Sequence, residues 1–184
     1  MGVGIIPVGR TDAEVDAELD ALPSRFGMDR TYSFPAAWTG TRGSPAVAAI
    51  GSGTVESDYQ VTLFDAASSE TVVAWLVAPI GATVVDIDLY WSNGGAGTGD
   101  VLWQIATARN LAEGSTLVTN DIGTATVTAT APLIDIPKVT TLRSNVAVPS
   151  GGALRVSLNR NGADAADTLA NDAAAIALVV RKVS

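Results

Sequence analysis

Asp86 and Asp88 stand two residues apart in Val85-Asp86-Ile87-Asp88-Leu89, a spacing that puts both carboxylates on one face of a strand. Paired carboxyl groups cleave glycosidic bonds when they face each other across about 5–10 Å. Neighbours at i and i+2 on a strand lie near the lower end of that range. Nothing in the surrounding sequence marks a cleft, so the pair is expected on a solvated outer face. Tyr90 beside them and the tryptophans at 75, 91 and 103 carry aromatic surface on which a sugar ring can stack. Period-two parity assigns all three tryptophans to apolar strand faces, so they are expected in the core.

Two loops hold further candidates. Gly94-Gly95-Ala96-Gly97-Thr98-Gly99 has the composition of a phosphate cradle, but that chemistry needs a helix after the glycines so that its N-terminus can hold the anion. Strand-like runs lie on both sides here and no Gly-Lys-Ser/Thr follows. The stretch is expected to be a hairpin loop. Asn159 to Thr168 carries several oxygen ligands, yet the EF-hand spacing and its closing glutamate are missing. Asp164 and Asp167 are expected to cap turns, or a short helical turn through Leu169 and Ala170, through their own backbone.

The 184 residues include no histidine and no cysteine. That excludes Ser-His-Asp triads, thiol nucleophiles, zinc fingers and haem or iron–sulfur ligation. Neither catalysis, cofactor nor metal is expected. The formal net charge is −8, which opposes binding to a phosphate backbone. Charged residues make up 16% of the chain, against roughly 25% in an average domain; part of so weakly charged a surface is expected to be covered by another chain. The apolar stretch Val72 to Val85 is broken by Pro79 and Gly81 and is too short to span a bilayer. Met1 to Val8 lacks the basic flank of a signal peptide. The expectation is a soluble chain that meets neither membrane nor nucleic acid.

These residues must be positioned by elements that divide near residue 55. Thr11 to Leu22 reads as a helix: Thr11 and Glu14 form a capping box, Asp12 and Asp16 suit its N-terminus, Val15, Leu19 and Leu22 form an apolar stripe, and Pro23 stops it. Phe26 to Gly53 has no sustained period but holds Phe26, Tyr32, Phe34 and Trp38, four of the ten aromatic residues. Residues 1–55 are therefore expected to form a helix and an extended arm. Val15, Leu19, Leu22, Phe26, Tyr32, Phe34 and Trp38 are its anchors for a neighbouring subunit or partner, with wrapping of the chain's own body as the alternative. From Tyr59 onward the period is two. Val73/Trp75/Val77, Val85/Ile87/Leu89/Trp91, Val101/Trp103/Ile105, Leu154/Val156/Leu158 and Ile176/Leu178/Val180 are the expected inward sets, and threonines 124 to 130 alternate with Ala125, Val127 and Ala129. With Tyr59–Phe64 and Leu133–Leu142, these runs predict an all-β, antiparallel, jelly-roll-like sandwich over residues 56–184.

The run Leu63-Phe64-Asp65-Ala66-Ala67-Ser68-Ser69-Glu70 before Trp75 resembles small structural proteins of tailed-bacteriophage virions. So do Trp91-Ser92 with the glycine loop, Gly99-Asp100-Val101-Leu102-Trp103, and Ala163-Asp164-Ala165-Ala166-Asp167-Thr168-Leu169. The resemblance covers residues 56–184 and not 1–55. It implies a jelly-roll module, often trimeric, on the virion: a capsid decoration (cement) protein made in the host cytoplasm and bound to the major capsid protein or another virion protein. A tail or fibre part that recognises host carbohydrate is the alternative, with the loops at Asn93–Thr98 or Asn159–Thr168 as its readers.

Overall fold

A computed structural model describes residues 29–42, 46–50, 59–108, 123–134, 136–148 and 152–184. Eleven strands lie among them. Before residue 65 these are β1 (Arg30–Ser33), β2 (Thr39–Arg42), β3 (Ala46–Ile50) and β4 (Tyr59–Phe64). They are followed by β5 (Ser69–Val77), β6 (Val84–Asn93), β7 (Asp100–Ala108) and β8 (Gly123–Thr130). The last three are β9 (Lys138–Ala147), β10 (Ala153–Asn161) and β11 (Ala173–Lys182). They make two sheets, ordered β3-β4-β11-β6-β9 with β1 also on β11, and β2-β5-β10-β7-β8. Every strand pairing is antiparallel.

The chain crosses from one sheet to the other in every connection between these strands except β3–β4 and β7–β8, the alternation that makes a jelly roll. This corrects one expectation. The Gly94–Gly99 loop joins β6 of the first sheet to β7 of the second, so it is an arch between layers and not a hairpin. Its glycines serve close approach: a Cβ on Gly99 would lie 2.6 Å from the Thr168 carbonyl oxygen, and φ there is +150°.

The core lies between the sheets, and strands with one dry face show it best. Val85, Ile87, Leu89 and Trp91 of β6, Val101, Trp103 and Ile105 of β7, and Leu154, Val156 and Leu158 of β10 are all fully buried. Trp103 packs edge-on against Phe64 and Trp91, with ring centroids 5.3 and 5.5 Å away. Three other assignments are corrected. On β5 the inward set is Val72, Ala74 and Leu76; Trp75 and Val77 point outward, because both faces of SETVVAWLV are apolar and parity alone does not choose between them. On β11 a bulge between Ala175 and Ala177 leaves Ile176 without a partner. The core residues there are Ala173 and Ala175 before it and Leu178 and Val180 after it. Strand β9 begins at Lys138 and not at Leu133, after Pro132 and Pro137.

The boundary drawn near residue 55 also meets the sandwich. β1 pairs with β11, β2 with β5 and β3 with β4, so the described part of residues 1–55 lies on the body of its own chain. The helix expected over Thr11–Leu22, with Val15, Leu19 and Leu22, and the anchor Phe26 lie outside the described residues.

The end of the sandwich that carries the β4–β5, β6–β7, β8–β9 and β10–β11 crossings is organised by Arg160. It continues the inward parity of Leu154, Val156 and Leu158 and is fully buried. Its guanidinium donates to both carboxylate oxygens of Asp167 (3.0 and 2.8 Å) and to the carbonyls of Phe64, Asn171 and Leu169. Five N–H groups thus meet five acceptors. One side chain ties the β10–β11 connection to the end of β4. Glu70, buried nearby, accepts the backbone N–H of Asp65. Its carboxyl is pushed above the ordinary value, first by burial and then by the charges of Asp65 and Asp172, against the Asp65 N–H and Arg160. A carboxyl raised in the folded state contributes stability that is full below its unfolded value and lost as pH rises through the folded one. Glu70→Gln, which keeps an acceptor, should therefore be more stable than wild type near neutrality. Urea unfolding at pH 7 and below pH 4 checks it: the difference should vanish in acid.

Candidate functional site

The Asp86–Asp88 pair is not free to act as acid and base. Arg181 on β11 donates to Asp86 at 2.7 Å and to Asp88 at 3.1 Å, and these bonds, Asp88's first, hold the guanidinium more firmly protonated. Thr141 Oγ1 donates to the second Asp88 oxygen and the Asn145 backbone N–H to Asp86. Asp88 is buried, which corrects the expected solvated face. The pair staples β11, β6 and β9 together. In the Asn159–Thr168 segment, Asp164 accepts the Ala166 N–H at 2.9 Å, a turn cap as expected. Asp167 does not cap a helical turn; its carboxylate is consumed by Arg160 and the Leu102 N–H. Among the described residues no group of three acidic side chains is placed to hold a metal ion.

Of the expected anchors, Trp38 packs against the core and its Nε1 donates to Ser33 Oγ at 3.0 Å. Tyr32 and Phe34 are 52% and 56% exposed and stack on each other at 6.3 Å. Tyr32 lies opposite Val179 on the outer face of the first sheet.

The outer face of the second sheet carries what parity hid. Trp75, 52% exposed, lies directly opposite Arg155 of β10. The next row across the strands is Val73, Ser157, Ala106 and Thr124, and the one after it is Thr71, Asn159, Gln104 and Thr126. Cross-strand neighbours are about 5 Å apart and successive rows about 7 Å. The result is an aromatic ring at one end of a lawn of hydroxyls and planar amides. Asn159 is fixed in the sheet: its Nδ2 donates to the Glu70 carbonyl at 2.7 Å and lies within 3.0 Å of the Ser69 and Thr71 hydroxyls, and its Oδ1 is buried. Thr124 and Thr126 are exposed. The sequence signal was present in the outward parity of β10, where Arg155, Ser157 and Asn159 alternate with three core residues.

Chemically, such a face suits a neutral or mildly charged amphipathic ligand. The ring offers an apolar platform for C–H groups, and the hydroxyls with the Gln104 amide offer donors and acceptors at fixed spacing. No group on it is equipped to break a bond.

Neither a protein-family model nor a curated protein matches the sequence. The fold, in contrast, matches solved structures. A CBM35 from Cellvibrio japonicus shares 14% identity and a TM-score of 0.50, over 84% of this chain and 94% of that one. The CBM22-1 xylan-binding domain from Paenibacillus barcinonensis shares 14% identity and a TM-score of 0.50, over 83% and 89%. A GH26-CBM35 β-(1,4)-mannanase from Podospora anserina shares 9% identity with a TM-score of 0.53, and the match spans 85% of this chain but 28% of the mannanase. At such identities the likeness concerns the fold: the chain is a two-sheet jelly-roll sandwich of the architecture these modules share.

Proposed function

We propose that the protein is a non-catalytic carbohydrate-recognition module whose binding surface is the outer face of β5, β10 and β7. The observation that carries the proposal is the half-exposed Trp75 beside a polar lawn. A large aromatic side chain left open to water on a strand face is a binding feature more than a folding one, because burying it would stabilise the fold and exposing it does not. Sugars present C–H groups on one side of the ring and hydroxyls around its rim, which is the complement of this surface. The shared architecture with carbohydrate-binding modules supports the same class. The capsid-decoration role expected from the phage resemblance rests on that resemblance alone, and the carbohydrate role is proposed in its place.

Affinity gel electrophoresis against soluble xylan, galactomannan and pectic polysaccharides tests this. Wild type should be retarded by at least one of them, and Trp75→Ala should lose at least tenfold in affinity. Its unfolding free energy should stay within about 0.5 kcal/mol of wild type, as for an outward side chain. Migration unaffected by every polysaccharide in the panel would end the proposal.

A further inference from the structure

The charge pattern of the same face narrows the ligand, on the premise that the face binds carbohydrate. Acidic side chains outnumber basic ones, 19 to 11, and two of the other described arginines are clamped by carboxylates. Arg160 is paired with Asp167, and Arg181 with Asp86 and Asp88. Arg155 is different. Its Nη1 donates to Ser157 Oγ at 3.3 Å, and it forms no ion pair among the described residues. That bond lays the guanidinium along β10 over Ser157, whose cross-strand neighbours are Val73 and Ala106. Both are small and uncharged, so they neither neutralise nor cover it. Across the rows from Trp75 to Asn159, Arg155 is the single charged residue on β5, β10, β7 and β8, with Arg42 of β2 opposite Thr71 at the edge of the sheet.

An arginine half-buried in a sheet face, without a counter-ion among the described residues of a chain of net charge −8, has desolvation to recover and donors to spare. We infer that the ligand of this face is an acidic saccharide, one whose ring stacks on Trp75 while its carboxylate is held by Arg155. The directly opposed positions of the two residues put ring and guanidinium within one sugar residue of each other, and the planar fork suits a carboxylate held by two parallel N–H bonds. The overall negative charge repels polyanions at long range, so retention of an acidic polymer has to come from a local fit.

Isothermal titration of the full chain with polygalacturonate, galactomannan, arabinoxylan and poly-glutamate tests the inference. The expected result is preference for polygalacturonate over both neutral polymers by at least tenfold, with no binding of poly-glutamate. Arg155→Gln should lose at least tenfold of the polygalacturonate affinity, Arg155→Lys less, and both should unfold at the wild-type temperature. Equal binding of neutral and acidic polymers, unchanged in Arg155→Gln but abolished in Trp75→Ala, overturns the acidic ligand and leaves the carbohydrate face standing. Poly-glutamate bound as well as polygalacturonate overturns it in favour of simple anion capture. Binding to none of the polymers overturns both readings together.

Discussion

Asp167→Ala is expected to lower the unfolding free energy by about 3–5 kcal/mol, a large part of the 5–15 kcal/mol that holds a typical domain folded. The substitution leaves Arg160 fully buried with its charge uncompensated and two of its five N–H donors unpaired. A guanidinium cannot escape by losing its proton. The interior then has to admit water or give up the contacts to the Phe64, Leu169 and Asn171 carbonyls. Removing both charges in Arg160→Met with Asp167→Leu should be far less damaging than Asp167→Ala alone, because the desolvation cost disappears with the attraction. Urea denaturation of the three proteins checks the order. An Asp167→Ala protein as stable as wild type would show that Arg160 is not clamped as described.

Trp103→Ala is the second large effect, at about 3–5 kcal/mol. Trp103 is fully buried between Phe64 and Trp91, in a core too well packed to collapse around the gap. The same substitution at Trp75 removes a side chain that is half in water, so its cost to stability should be within about 0.5 kcal/mol while its cost to glycan binding is tenfold or more. Thermal unfolding and affinity electrophoresis on the two variants separate the roles. Position, and not residue type, decides which tryptophan folds the protein and which one is left open to a ligand.

The alternation of β6, β7 and β10 was readable because each has one dry and one wet face, and every residue assigned inward on them is fully buried. Where that contrast fails, so does the reading. Val72, Ala74 and Leu76 are as apolar as Val73, Trp75 and Val77, and of the larger set Trp75 and Val77 turned out to face water while Val73 is buried. A bulge at Ile176 exchanges the faces of β11 midway, and no local residue pattern announces it. The Asn159–Thr168 segment was read for loose oxygen ligands, although Arg160 continues an inward parity that already placed it in the core.

Composition and period two by themselves determined an all-β jelly-roll chain without imidazole or thiol chemistry, since both follow from residue types and local geometry. Which strands pair, and therefore what lies side by side on a sheet face, is decided by contacts between residues far apart in sequence. Trp75 and Arg155 are separated by the strands β6 to β9 and become neighbours through the β5–β10 register. The same holds for Asp86 with Arg181, joined across β6 and β11. Tertiary pairing turned one expected core residue out onto an open sheet face and one expected acidic pair into a structural staple, because burial and partnership belong to the assembled sheets and not to the strand that carries the residue.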